Sequence, residues 1–406
     1  MVNLIIENKK NKIQKFLNFL LLISFAWVVF INTSYFIEKV IFGQTEVFYD
    51  LKIIHNSFVE VLNGVNTYEI FPPYFDQPTT SIPPYLIMIL KDLGKLNFST
   101  FLNYFLFLQT ISLILLFFYS YKLFPLSNIK YLYPFIYFFC FNFSLGIAGT
   151  IVGNISVILY GIIAIGLIFL HKKKILVFNC LILFASLFKF YYLIFYFLPI
   201  FVYGLKYLKS VCVFLFILIL INLYSYLNNP EFYKSWIDLM SIQTSRGPDN
   251  PWIGNDITQS FASVIYTVSK FFNFEFYPSS VVSNTFYFLI TTLAFVSIFY
   301  IYNPARRNTN NINKNLVMIS LGLLIIFLFY PRLMIHDYFL IVPVYYYFVT
   351  KIKFSLDKNI NFFTKFALLF IFLCVQDSHA SLGSMALLFF LIMYGEFKQR
   401  KPLELK

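Results

Sequence analysis

Long apolar segments alternate with short polar connections over nearly the whole chain. Most of these segments approach the roughly 20 residues with which an α-helix crosses the hydrocarbon core of a bilayer. One longer segment, 175–204, is interrupted by Lys189 and has basic residues at both ends, so we expect a helical hairpin there. The pattern predicts an all-α polytopic membrane protein with about twelve transmembrane helices. The other apolar segments are 17–36, 99–121, 131–148, 150–170, 211–227, 280–302, 315–331, 335–350, 362–377 and 380–395.

Two stretches are too polar for the hydrocarbon core. The first, 37–82, is rich in acidic residues, and the second, 228–279, carries both charges together with two tryptophans. Clusters of Lys and Arg occupy other connections, and such clusters prefer the cytoplasmic side of a membrane. We therefore expect both polar stretches to be external loops and both chain ends to be cytoplasmic. The basic clusters are Lys9, Lys10, Lys12 and Lys15; Lys172, Lys173 and Lys174; Lys206 and Lys209; Arg306 and Arg307; Lys351 and Lys353; and Lys398, Arg400 and Lys401.

Whether residues 83–97 cross the membrane decides on which side all later connections lie. A full crossing here would move the cluster that begins at Lys172 to the external side, against the positive-inside rule. Two prolines open the segment, charged residues interrupt it, and it is shorter than a spanning helix. We expect a partial or interfacial helix instead, within a single integral membrane domain that covers residues 1–406.

The composition argues against a soluble protein and against a nucleic-acid-binding one. The chain is 59% hydrophobic and 22% aromatic, and only 12% of its residues are charged, against about 25% in soluble domains. The net charge of +13 comes from the loop clusters, whereas a nucleic-acid patch gathers on one face of a domain. The four cysteines lie singly in apolar segments, without metal-ligand or redox spacing. We expect membrane lipid around most of the chain and no nucleic-acid partner.

The first external loop holds the strongest candidate for chemistry. Residues 48–63 repeat apolar side chains at helical spacing and stop before Gly64, which predicts an amphipathic helix along the membrane interface. Asp50 lies in the first turn of this helix. A carboxylate there can act as a general base and accept a proton from an attacking hydroxyl. The ordinary alternative is an acid that the helix macrodipole favours at this end.

A series of short motifs follows Asp50 in order along the chain. Each is weak alone, and their common order and predicted sidedness over about residues 10–350 carry the argument. The motifs are Gly64-x-x-x-Tyr68, Pro83-Pro84, Gly153-Asn154-Ile155-Ser156 at a helix start, Lys189, Thr258-Gln259-Ser260-Phe261, and Pro331 with His336 between two apolar segments.

With these motifs in this order, the chain resembles the GT-C superfamily of polyprenyl-phosphate-dependent glycosyltransferases, in particular the GT87 branch of mannosyltransferase-like membrane proteins. Asp50 falls where that family has its proposed catalytic Asp. The chain departs from the family's motifs at several positions, namely Ile82, Asn154, Ser156, Phe190, Thr258, Phe261, Leu333 and Met334. The resemblance implies an inverting transfer of a mannose-like hexose or a pentose. The donor would be a sugar on polyprenyl phosphate, and the acceptor a glycan or glycolipid.

The resemblance also implies a multi-pass protein of the cell inner or plasma membrane whose active site faces away from the cytoplasm. An anionic donor needs cations that stabilise the departing phosphate, and Lys189, Arg332 and His336 are the candidates. Each has an ordinary alternative: a snorkelling lysine, an ion pair of Arg332 with Asp337, and an interfacial histidine. We expect no cofactor, although a divalent metal remains compatible with the pattern. The predicted substrate-binding residues are Tyr68, Asp76, Asn154, Trp252 and Gln259.

Two other functions remain open at this point. A transporter or flippase for lipid-linked glycans would have helices broken in matching halves of the chain, and the sequence has broken helices without matching halves. A surface-polysaccharide polymerase or ligase is also a multispanning protein, but its external loops are rich in arginine. Here the first external loop, 37–82, is acidic, which favours the transferase.

Overall fold

The computed structural model of the chain describes residues 48–69, 82–124, 153–245, 312–329, 340–351 and 383–392, together with 364 and 367–368. This part of the chain is mostly helical and contains no β-strand. Its α-helices are α1 (Tyr49–Leu62), α2 (Pro84–Leu90), α3 (Phe98–Leu123), α4 (Ser156–His171), α5 (Ile175–Phe188), α6 (Phe197–Tyr203), α7 (Leu208–Asn228), α8 (Pro230–Ser245), α9 (Ile312–Phe329) and α10 (Ile341–Lys351). Short 3₁₀ segments cover Lys91–Lys95, Phe190–Tyr196 and Leu205–Tyr207, and Gly383–Ile392 is also helical.

The hydrophobic pattern predicted several of these helices close to their observed bounds. The amphipathic helix expected over 48–63 is α1, and Gly64 follows it with a φ of 80°. The segment 83–97 forms the seven-residue α2 and a five-residue 3₁₀ segment, both too short to cross a bilayer. The break expected at Lys189 is also present, since α5 ends at Phe188 and Lys189 is extended. Other predicted segments, such as 131–148 and 280–302, lie outside the described residues.

Two of the described helices are long and apolar enough to cross a membrane, namely α3 and the stretch Leu205–Asn228 that contains α7. Only 28% and 22% of their most apolar windows are buried inside the protein. Large apolar side chains therefore point outward along both helices, including Phe107, Ile114 and Phe216, which are each about 60% exposed. The core helix of a soluble protein buries such residues, and exposed apolar surface of this extent marks a site of interaction with a membrane or with another protein. These two helices support association with a membrane.

The main core forms around α4, which is apolar on nearly all sides. It packs against α3 on one side and α5 on another. At the crossing with α3, a Cβ atom added to Gly161 would lie 2.7 Å from the Cβ of Ser112. The Ser112 hydroxyl also donates to the carbonyl of Ile158 at 3.1 Å. Small residues thus let the two helices approach closely, as is common between helices in membranes.

A second core holds α1 in place against α2, the start of α3 and α8. The 3₁₀ segment after α2 lies directly on α1, because a Cβ atom added to Gly94 would come 2.7 Å from the backbone carbon of Phe58. His55 reaches the carbonyl of Leu96 at 2.9 Å, and its ring packs against Phe101. The position of α1 is therefore fixed by both backbone packing and hydrogen bonding.

The two ends of the α4–α5 hairpin differ in charge. The connection from α4 to α5 consists of Lys172, Lys173 and Lys174, and Tyr203 at the end of α6 donates to the carbonyl of Leu170 nearby. Lys206 and Lys209 follow α6 directly, so they belong to the same basic end. The opposite end contains the start of α4, the end of α5 and the start of α1, where Asp50 lies.

Candidate functional site

Asp50 lies in the first turn of α1, at the point where this helix meets the start of α4. The next residue, Leu51, is almost fully buried in the second core, so the first turn of α1 has little freedom. Phe48, just before the helix, has a φ of 60°. This left-handed conformation costs a non-glycine residue about 1–3 kcal/mol and occurs preferentially at functional sites.

Gly153 lets α4 begin directly beside α1. Its φ of 76° is in the left-handed region that favours glycine. An added Cβ atom would lie 2.9 Å from the Cβ of Leu51, too close without a shift of α1. The next residue, Asn154, lies just before the N-cap residue Ile155, and its side-chain oxygen accepts a hydrogen bond from the backbone N–H of Ser156 at 2.9 Å.

Lys189 reaches the same place from the end of α5. Its ammonium donates to the side-chain oxygen of Asn154 at 3.1 Å and to the hydroxyl of Ser156 at 2.6 Å. It also lies 5.6 Å from the ring centre of Tyr191, whose hydroxyl is 3.3 Å from that of Ser156. An ammonium has three N–H donors, and two are used by acceptors in the described part of the chain. Within the described residues, the third N–H has no hydrogen-bond acceptor.

Asn154 joins the acid and the cation. Its side-chain nitrogen donates to Asp50 Oδ2 at 2.8 Å, while its oxygen accepts from Lys189. Because an amide donates only through nitrogen and accepts only through oxygen, this network fixes which way the amide points. We call Asp50, Asn154, Ser156 and Lys189 the polar cluster. Within the described residues, Asp50 Oδ1 has no hydrogen-bond partner, so it is the carboxylate oxygen open to a proton donor.

Burial raises the pKa of the Asp50 carboxyl group above its ordinary value. The hydrogen bond from Asn154 and the charge of Lys189 act in the opposite direction and lower it. The net effect is a carboxylate that is more basic than an exposed aspartate. A general base gains efficiency as its pKa approaches the working pH, so this shift suits Asp50 to proton abstraction.

An open apolar groove of about 450 Å³ lies along α7. Phe190, the residue after Lys189, forms part of it, and the rest comes mainly from the outward face of α7 and from α8. The Tyr233 hydroxyl donates to the side-chain oxygen of Asn222 at 2.7 Å. The lining is therefore almost entirely hydrocarbon. The lining residues are Phe190, Leu193, Leu218, Ile219, Asn222, Leu223, Tyr226 and Tyr233.

The predicted site residues fall into three groups. Asp50, Asn154 and Lys189, far apart in sequence, meet in the polar cluster. Tyr68 is described but fully buried, and its hydroxyl donates to the carbonyl of Ile82, so the structure gives it a structural contact rather than an open surface. The remaining residues, Asp76, Trp252, Gln259, Arg332 and His336, lie outside the described residues.

Sequence reasoning did not single out two members of this arrangement. Ser156 belongs to the motif at the start of α4, but the motif does not predict its contact with Lys189, and no motif includes Tyr191. Sequence position could have indicated both residues, because each hydroxyl lies within two residues of Asn154 or Lys189. Among the described residues, no group of three His, Cys, Asp or Glu side chains is placed to hold a metal ion.

No protein-family model matches the chain, and neither does any curated protein or solved structure with which it was compared. The resemblance to GT-C glycosyltransferases therefore stays a prediction that rests on the order of the sequence motifs.

The close approach at Gly153 gives a testable prediction. Gly153→Ala combines a left-handed backbone, which costs about 1–2 kcal/mol, with an overpacked contact to Leu51 that costs about 1–3 kcal/mol more. Gly64→Ala is the matched control, because Gly64 has a similar φ of 80° but no atom within 4 Å of the added Cβ. Thermal unfolding of the purified variants should show a clearly larger fall in Tm for Gly153→Ala. Equal losses would mean that α1 and α4 are not in contact at this point.

Proposed function

We propose that this protein is a GT-C-like glycosyltransferase that transfers a sugar from polyprenyl phosphate to a hydroxyl acceptor. The observation that carries the proposal is the polar cluster, in which one amide holds a carboxylate and an ammonium in fixed relation. Transfer from a phosphate leaving group needs a base for the incoming hydroxyl and a cation for the departing phosphate. Asp50 and Lys189 are suited to these two tasks.

The reaction follows from these roles. The acceptor O–H gives its proton to Asp50 Oδ1 while its oxygen forms a bond to the anomeric carbon of the donor. The bond between that carbon and the phosphate oxygen breaks, and the electron pair leaves with polyprenyl phosphate. The third N–H of Lys189 stabilises the negative charge that develops on the phosphate. Attack opposite the leaving group inverts the anomeric centre.

The apolar groove supports a lipid rather than a nucleotide donor. A polyprenyl chain is a long hydrocarbon, and the groove offers a hydrocarbon lining that begins at Phe190, the residue after Lys189. The groove opens beside the outward face of α7, one of the two helices able to cross a membrane. A chain that approaches through the bilayer could therefore lie in the groove while its phosphate reaches Lys189.

The lengths of α4 and α5 support a recess for the donor headgroup. With 16 and 14 residues, they extend only about 24 and 21 Å at 1.5 Å per residue, less than the roughly 30 Å of a hydrocarbon core. If their basic ends lie at the cytoplasmic surface, their other ends stop short of the opposite surface. The polar cluster would then form the floor of an external recess, in a protein of about twelve spans.

The sidedness of this arrangement can be tested by labelling. We expect the end with Lys172, Lys173 and Lys174 to be cytoplasmic and the turn at Val65 to be external, because basic connections prefer the cytoplasm. Single cysteines at positions 173 and 65, in a background where the four native cysteines are replaced, would be treated with a membrane-impermeant thiol reagent on intact cells. Position 65 should react and position 173 should not. Labelling of position 173 from outside would reverse the proposed topology.

The proposed activity can be tested with purified protein in proteoliposomes. Polyprenyl-phosphate donors that carry labelled hexoses or pentoses would be supplied one at a time, and the release of polyprenyl phosphate would be followed. At least one donor should be turned over by the wild-type chain and not by Asp50→Asn. If no donor reacts but labelled lipid moves between the two leaflets, the protein is a transporter, and the glycosyltransferase proposal is wrong.

A further inference from the structure

Two tyrosine hydroxyls connect the first loop to the break that carries Lys189. Tyr68 is fully buried and donates to the carbonyl of Ile82, just before the two prolines that open α2. Tyr85, in the first turn of α2, donates to the carbonyl of Leu187 at 2.6 Å. Leu187 lies in the last turn of α5, two residues before Lys189. Carbonyls at a helix end lack intrahelical partners, so Tyr85 satisfies one of them.

These contacts complete a closed path through the site. It runs from Asp50 along α1 to Tyr68, through Ile82 to Tyr85, and then through Leu187 to Lys189. The path returns to Asp50 through Asn154. Lys189 is extended just beyond the end of α5, and its own N–H donates to the carbonyl of Ala185 at 3.2 Å. The contact from Tyr85 adds a side-chain hydrogen bond to this short stretch of backbone, two residues before the ammonium-bearing residue.

We propose that Tyr85 is a positioning residue for Lys189, with Tyr68 as the support that holds Tyr85 in place. Each hydroxyl already donates its proton to a backbone carbonyl in a buried environment, so neither has a proton left to donate to a ligand. The motifs around Gly64, Tyr68 and the Pro83-Pro84 pair thus set the relative position of acid and cation. This inference rests on the role proposed for Lys189 in the function above.

The test uses the full chain in lipid nanodiscs and does not require enzymatic turnover. Tyr85→Phe removes one hydroxyl and keeps the ring. The rate at which an amine-reactive reagent modifies Lys189 would be measured by mass spectrometry of the peptide that contains it. Loss of one hydrogen bond corresponds to a factor of about 2–10 in an equilibrium, so we expect Lys189 to be labelled about 2- to 10-fold faster. Tyr68→Phe should give a smaller increase.

Tyr203→Phe is the matched control. Its hydroxyl also donates to a carbonyl in the last turn of a helix, that of Leu170, at 2.6 Å, but at the basic end of the protein. We expect Tyr203→Phe to lower the Tm about as much as Tyr85→Phe does and to leave the labelling rate of Lys189 unchanged. A second readout is the titration of the Asp50 carboxyl by infrared difference spectroscopy, assigned with Asp50→Asn. Its pKa should rise in Tyr85→Phe, because Lys189 normally lowers it.

The outcomes separate this inference from the proposed function. Faster labelling of Lys189 in Tyr85→Phe but not in Tyr203→Phe supports the positioning role, even in a protein that turns over no donor. Labelling of Lys189 and titration of Asp50 that are the same in both variants would overturn the role of Tyr85. If Tyr85→Phe does not fold, Tyr68→Phe carries the same comparison with the same two readouts.

Discussion

Asp50→Asn is expected to reduce the transfer rate by about 10²–10⁴-fold, the usual contribution of a general base. The amide can still accept the hydrogen bond from Asn154 but cannot take a proton from the acceptor hydroxyl. Turnover of a polyprenyl-phosphate sugar by purified protein would measure the loss. Asp92→Asn is the matched control, because Asp92 is an exposed acid in the same region that pairs with Lys95. The control should keep nearly full activity; a similar loss in both variants would remove Asp50 from the mechanism.

The same substitution should not destabilise the protein at neutral pH. Burial raises the pKa of Asp50 in the folded state, so folding favours the protonated carboxyl. The stability that this provides is present at low pH and is lost as the pH rises through the raised pKa. At neutral pH the ionised carboxylate costs stability, and Asp50→Asn removes that cost. We expect a Tm equal to or above that of the wild type at pH 7, with any advantage disappearing in acid.

Lys189→Ala is expected to reduce turnover by about 10²–10³-fold, comparable to the loss of one group that stabilises developing negative charge. It should also change the pH profile. We expect the wild-type rate to rise with pH as Asp50 ionises, and the charge of Lys189 lowers the pKa of Asp50. Without that charge, the pKa rises further and the acid limb of the profile moves to higher pH. Initial rates measured across a pH series would show both effects.

The control for this variant is Lys174→Ala at the basic end, where the ammonium contacts the ring of Phe169. It changes the net charge by the same amount and should leave the acid limb in place. A lower rate for Lys189→Ala with an unmoved acid limb would mean that Lys189 and Asp50 are not electrostatically coupled. A normal rate would remove Lys189 from the phosphate site.

Much of the local structure followed from simple periodicity. The bounds of α1 could be predicted because apolar residues recur at helical spacing and Gly64 marks the end, whereas α3 could be predicted because the run 99–121 is apolar over the length of a membrane span. The break at Lys189 could be predicted because a charge interrupts an otherwise apolar run. The helix bounds and the break each depend on residues that are close together in the sequence, so they can be read from the sequence alone.

The composition of the site was harder to predict, since it depends on which helix ends meet. Asp50, Asn154 and Lys189 were each candidates, but the amide that bonds both charges is visible only in three dimensions. Tyr68 shows the converse. It was predicted to bind substrate, which stays a prediction; in the fold it is fully buried, and its hydroxyl donates to the carbonyl of Ile82. A sequence motif does not distinguish a residue that touches a ligand from one that supports the site.

The central claim is that the polar cluster binds the phosphate of a lipid-linked sugar. The most direct test is a cryo-electron-microscopy structure of the Asp50→Asn variant in nanodiscs with a bound polyprenyl-phosphate sugar. We predict the phosphate next to the Lys189 ammonium, the anomeric carbon facing position 50, and the polyprenyl chain in the groove that begins at Phe190. A phosphate bound instead at the basic end, near Lys172 to Lys174, or a polar cluster left without ligand contact, would contradict the account.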